Sequence, residues 1–136
     1  MDETFAKYRP TALSLFRFIT GLLLFQYGVA KILKFPVLPY FADIPPLITA
    51  AGVIELVGGG LLLLGLFTRP VAFILAGEMA FAYFLGHMFK AGIGAPVFHP
   101  LFNGGTAAIL FCFTCLYLAT AGGGPYSLDA MMRKKG

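Results

Sequence analysis

Apolar residues run along the chain in four blocks, Thr11–Ile32, Leu47–Phe67, Val71–Phe89 and Leu101–Ala121, separated by breaks rich in Pro and Gly. Each block is about 20 residues long, which at ~1.5 Å rise per residue crosses the ~30 Å hydrocarbon core of a bilayer. The pattern therefore predicts four membrane helices over residues 11–32, 47–67, 71–89 and 101–121. Phe35-Pro36-Val37-Leu38-Pro39 and Pro45-Pro46 flank the first connection. Thr68-Arg69-Pro70 makes a tight second turn, with Pro70 suited to open the third helix because its missing N–H costs nothing there. Gly92, Gly94, Pro96 and Pro100 punctuate the third connection, and Gly122-Gly123-Gly124-Pro125 stops the fourth helix before a short tail, Tyr126–Gly136.

The polar positions inside these blocks carry the chemical information. An ionisable side chain in a membrane helix is costly, so it faces a partner or a cavity. The candidates are Arg17, Gln26, Lys31, Glu55, Glu78 and His87. At about 100° per residue, Arg17, Gly21, Leu24, Gly28 and Lys31 share one stripe of the first helix, where the glycines allow close helix contact. Glu55 shares a face with Gly52, Gly59 and Leu62 in the second helix. Ala72, Ala76, Ala80, Tyr83 and His87 share a face in the third, with Glu78 nearly opposite. In the fourth, Asn103, Thr106, Ala107, Leu110, Thr114 and Tyr117 form a polar and small stripe. These stripes are expected to converge on one interior.

Depth along the helices sorts the candidates into two groups. By helical rise, Arg17 lies ~9 Å and Glu78 ~10 Å inside the same end of their helices, which suggests a structural interhelical ion pair between them. Glu55 lies ~12 Å from the opposite end, level with Gln26 and Tyr83, and Lys31, His87 and Asn103 lie nearer that surface. An outer cluster of Gln26, Lys31, Glu55, Tyr83, His87 and Asn103 follows. Two readings stay open for Lys31, a member of the cluster or a cation snorkelling to the interface, and for His87, a proton-handling group or an interfacial hydrogen-bonding residue.

Composition agrees with the block pattern. Hydrophobic residues make up 59% of the 136 and charged residues 12%, against about 25% charged in ordinary soluble domains. The net charge of +4 sits at the ends of the apolar blocks, which speaks for topology and not for nucleic acid. Lys7, Arg9, Arg69, Arg133, Lys134 and Lys135 fall on one side and Lys31, Lys34 and Lys90 on the other. The excess predicts that both termini are cytoplasmic. The acidic start Met1-Asp2-Glu3-Thr4 does not resemble a signal peptide, so the first helix is read as retained. The expected architecture is thus an all-α, four-transmembrane-helix bundle forming one domain in the cell (plasma or inner) membrane.

Several chemistries find no support. Cys112-Phe113-Thr114-Cys115 lies about ten residues into the fourth helix, away from its polar stripe, and no second pair exists to pass electrons to it; small structural residues are the better reading. His87 and His99 lack a nearby ligand set for zinc. Flavin, haem, iron–sulfur and nucleotide motifs are absent from the sequence.

Taken in order, these residues resemble the DoxX family of small four-helix membrane proteins. The resemblance rests on Arg17, Gly21, Gly28 and Lys31, on Glu55-Leu56-Val57-Gly58-Gly59, and on Leu64-Gly65-Leu66-Phe67-Thr68-Arg69-Pro70. It continues through Gly77-Glu78, Tyr83 and His87, Asn103-Gly104-Gly105 and Gly124-Pro125-Tyr126-Ser127-Leu128-Asp129. Many relatives carry an acidic residue directly after Asn-Gly-Gly, where this chain has Thr106. The family is named for a membrane subunit of a thiosulfate:quinone oxidoreductase. The resemblance therefore implies a quinone-linked redox membrane component with a bound quinone or a soluble or membrane partner subunit. On that reading Glu55 and His87 handle protons, while Gln26, Lys31, Tyr83 and Asn103 contact the quinone. A non-catalytic scaffold that holds a soluble oxidoreductase at the bilayer is the alternative. A small transporter or channel, which would need a homo-oligomer to form a pore, ranks third.

Overall fold

A computed structural model of the chain describes residues 2–34, 46–84 and 105–135. All regular structure among them is helical: α1 (Asp2–Ala6), α2 (Arg9–Gly28), α3 (Pro46–Leu64), α4 (Thr68–Phe81), α5 (Thr106–Ala121) and α6 (Leu128–Lys135). Helix α2 runs on into a π turn, Val29–Leu33, and stops where Lys34 adopts a left-handed conformation at φ 57°. Residues 82–84 extend α4 in the same wider geometry. Arg9–Leu33, 25 residues, and Pro46–Leu64, 19 residues, are long and apolar enough to cross a membrane; α5 is an apolar helix of 16 residues. His87, Asn103 and the proline-rich first connection lie outside the described residues.

The second apolar block extends to Phe67, yet α3 ends at Leu64 and α4 already begins at Thr68. Gly65 takes φ 73°, and the turn closes with Leu66 N–H donating to Leu61 O (2.9 Å) and Gly65 N–H to Leu62 O (3.1 Å). These two bonds satisfy carbonyls that a helix end leaves open, and glycine at this position adopts the left-handed geometry without strain. Apolarity continues through the turn, so hydropathy alone does not locate the break.

Helices α2 and α3 pack antiparallel and unusually closely. A Cβ on Gly21 would strike the backbone of Leu63, and one on Gly28 the backbone of Leu56. Small residues at such crossings bring backbones together, and packing between apolar helices in lipid depends on that contact. Helix α3 then turns onto α4, with Leu75 seated against Gly58, and α4 packs on α5. The core joins Leu24, Leu62, Ala72, Leu75, Ala76, Met79, Cys115 and Leu118. Outside it, large apolar side chains such as Phe73, Phe81, Leu110 and Phe113 stand well exposed. So broad an uncovered apolar surface suits lipid and not water.

Candidate functional site

The deepest charged group on α3 is Glu55, which is 1% exposed. It sits among Gly52, Gly58 and Gly59 on the buried face, as the spacing predicts. Lys31 reaches it from the π turn after α2, its Nζ 3.0 Å from both Oε1 and Oε2. The Lys31 ammonium is thus engaged with Glu55 and not extended toward an interface. It also lies 5.9 Å from the centre of the Tyr27 ring. From α4, the Glu78 carboxylate comes within hydrogen-bonding reach of Glu55 and within the field of Lys31. Both Glu78 oxygens are buried and neither accepts a hydrogen bond. The arrangement is one ammonium and two carboxylates at one level across three helices. With both carboxylates ionised it would carry one negative charge without a counter-charge in an apolar setting.

Arg17 and Glu78 do not form the expected ion pair. Arg17 lies at the α3–α4 turn, with its guanidinium in the space above Gly65. Glu78 lies ~15 Å of helical rise beyond Thr68. Equal depth requires the helices to start at one plane, whereas α2 begins at Arg9 and runs past the α3–α4 turn. Arg17 Nη2 donates to Ser14 O (3.3 Å) and Tyr126 O (3.1 Å), and Asp129 supplies the nearby negative charge. Arg17 Nε and Nη1 are buried without hydrogen-bond partners.

Gln26 also departs from expectation. It shares the depth of the cluster, yet it is exposed on the opposite side of α2 from Gly28, because depth along a helix does not fix the angle around it. Tyr83 is buried, packed with Ala108 and Ile109 and edge-on to Phe84 at 5.4 Å. On α5 the predicted polar stripe faces outward: Thr106, Ala107, Leu110 and Tyr117 are exposed, while Ala108, Cys115 and Leu118 are buried. Small and apolar residues, not polar ones, make the inward face, as packing in lipid favours. Cys115 is fully buried in the core and Cys112 partly buried; both are free thiols.

The tail carries contacts that the apolar pattern does not signal. Asp129 Oδ1 accepts from Phe67 N–H (2.8 Å) and Oδ2 from Thr68 N–H (2.9 Å), capping α4, while Asp129 N–H donates to Gly65 O (2.9 Å). Ser14 Oγ accepts from Tyr126 N–H (3.0 Å), and Ser127 Oγ caps α6 by accepting from Ala130 N–H (3.2 Å). Burial pushes the Asp129 carboxyl upward, but the amides of Thr68 and Phe67 together with the charge of Arg133 outweigh it, so the group is held below the usual aspartate range. The available signal was the motif Gly124-Pro125-Tyr126-Ser127-Leu128-Asp129, which the resemblance used without assigning it a role.

Comparison with known proteins identifies the family. The DoxX family model matches residues 12–88. A protein of Haemophilus influenzae, named only as an uncharacterized protein, is 43% identical over 132 residues, which is 95% of this chain and 96% of that protein. No solved structure matches. The matched segment contains the second apolar span, all but the first three residues of the other, and the Lys31, Glu55 and Glu78 cluster, and with a relative alike over nearly its full length it establishes that the chain belongs to the DoxX family.

Proposed function

We propose that the protein is a multi-pass component of the cell membrane, four helices with both termini cytoplasmic, serving a quinone-linked redox assembly in which Glu55 and Glu78 exchange protons under the control of Lys31. The observation that carries this reading is the buried Glu78 carboxylate, without a donor, beside a Glu55 carboxylate fixed on both oxygens by Lys31. A bound quinone would take up two electrons and two protons as it is reduced to the quinol. Its reduced form carries hydroxyl donors, which are what the orphaned Glu78 oxygens lack, so the residues present fit the group. Within the chain, Lys31 fixes the Glu55 carboxylate in place while Glu78 takes up or releases a proton. No electron carrier is encoded in the chain, so electrons come from a soluble or membrane partner subunit.

Extraction of gently purified protein followed by mass spectrometry for quinone, in wild type, Glu55→Gln and Glu78→Gln, tests the proposal. Stoichiometric quinone in the wild type, reduced in folded variants, supports it. Absence of quinone from all three folded proteins overturns it. That outcome favours the scaffold reading, which draws on a specific feature: Lys31–Glu55 ties α2 to α3 and Asp129 ties the tail to α4, so the same polar groups also set packing.

A further inference from the structure

A groove opens between the α3–α4 turn and helix α6, walled by Phe67, Arg69 and Pro70 on one side and by Met132 and Arg133 on the other. Its chemistry is not that of the buried carboxylate cluster. Arg69 stacks over Gly122, close enough that a Cβ there would meet its Nε at 3.3 Å. No hydrogen bond or ion pair engages the Arg69 guanidinium among the described residues. Arg133 lines the same groove and is exposed. The one carboxylate present, Asp129, has both oxygens occupied by the amides of Phe67 and Thr68. The groove therefore holds two cations against one anion that is already engaged. Two guanidiniums present forked donors suited to a phosphate.

What surrounds the cations identifies the source of that phosphate. Phe67 is 57% exposed and Met132 55%, so large apolar groups stand uncovered directly beside the arginines. Arg69 lies in the first turn of α4, where the chain leaves the apolar zone that α3 and α4 share. A free phosphate has no use for an exposed phenyl ring and thioether. A glycerophospholipid presents its phosphate diester to the cations and its glycerol and upper acyl carbons to the apolar wall. We propose that this groove is a binding site for the phosphate diester of an anionic membrane lipid, held by Arg69 and Arg133.

The site is tested with the full-length protein in nanodiscs of phosphatidylcholine doped with phosphatidylglycerol, reading retained lipid by native mass spectrometry. Wild type is expected to enrich phosphatidylglycerol over phosphatidylcholine, and the double substitution Arg69→Gln with Arg133→Gln to lose that preference by about fivefold per arginine. Circular dichroism and thermal melting show whether the double variant is folded; if it is not, Arg133→Gln alone, at an exposed position, carries the measurement. Equal retention of both lipids by the wild type overturns the proposal, as does an unchanged preference in the folded variant. Displacement of the lipid by millimolar glycerol phosphate would overturn it too, and would assign the groove to a soluble phosphate. Survival of the lipid under that challenge supports the lipid assignment.

Discussion

Lys31 and Glu55 meet across the α2–α3 interface as a two-pronged pair, with Nζ 3.0 Å from each carboxylate oxygen. Because Glu55 is almost fully buried, the pair cannot be broken from one side without leaving an isolated charge in apolar surroundings. Lys31→Met is expected to destabilise the protein by about 3–5 kcal/mol, while adding Glu55→Met removes the orphaned charge and recovers most of that loss. Unfolding in mixed micelles, arranged as a double-mutant cycle, measures the coupling. Additive single losses would show that the two side chains do not depend on each other.

Glu78 should behave in the opposite way to its neighbour. Its oxygens accept no hydrogen bond, so Glu78→Gln strands no partner and gives Glu55 an amide donor. The expected result is unchanged or increased stability at pH 7, by about 1 kcal/mol for the added hydrogen bond. Glu55→Gln, which strands Lys31, should lose stability under the same conditions. If both substitutions destabilise equally, Glu78 has a partner of its own.

Much of this arrangement was legible in the chain, and the failures have definite causes. The inward faces of α2 and α3 follow from helical spacing: Arg17, Gly21, Leu24 and Gly28 are buried, as are Gly52, Glu55, Gly59 and Leu62. Partner choice was not legible, because it depends on the offset between helices. That offset is set by where the chain turns, at Gly65, and by how far α2 runs past the turn. It places Arg17 against the tail and leaves Glu78 beside Glu55. The inward face of α5 is not legible from its hydroxyl residues, because Thr106 and Tyr117 face outward while Ala108, Cys115 and Leu118 face the core. Thr120 satisfies its hydroxyl on the carbonyl of Tyr117 at 2.7 Å, and such local bonds let hydroxyl residues face lipid without an interhelical partner.

The Asp129 cap predicts an acid-labile tail. Its folded-state carboxyl is held below the ordinary aspartate value, so its contribution is fully present above the unfolded value of about 3.9 and is lost as pH falls through the lower folded one. Asp129→Asn keeps one acceptor and loses the charge; a cost of about 1–2 kcal/mol and loss of this acid transition are expected. Limited proteolysis of the tail across pH 2–7, wild type beside variant, reads both effects. An acid profile identical in the two proteins would assign the transition to another group.

Glycine at Gly28 and glycine at Gly77 should respond in opposite directions to the same substitution. A Cβ at Gly28 meets the backbone of Leu56, which cannot swing aside as a flexible side chain would. Gly28→Ala must push α2 off α3 and carries the Lys31–Glu55 pair with it, costing about 1–3 kcal/mol as overpacking does. At Gly77, by contrast, a Cβ meets nothing within 4 Å and the residue stands exposed on α4. Gly77→Ala there restricts the unfolded chain without a clash and should stabilise by about 0.5–1 kcal/mol. Melting temperatures of the two variants in one detergent decide the matter. A gain at Gly28 would mean that the α2–α3 backbones do not lie as close as their glycines allow, whereas a loss at Gly77 would place a neighbouring surface against that face of α4.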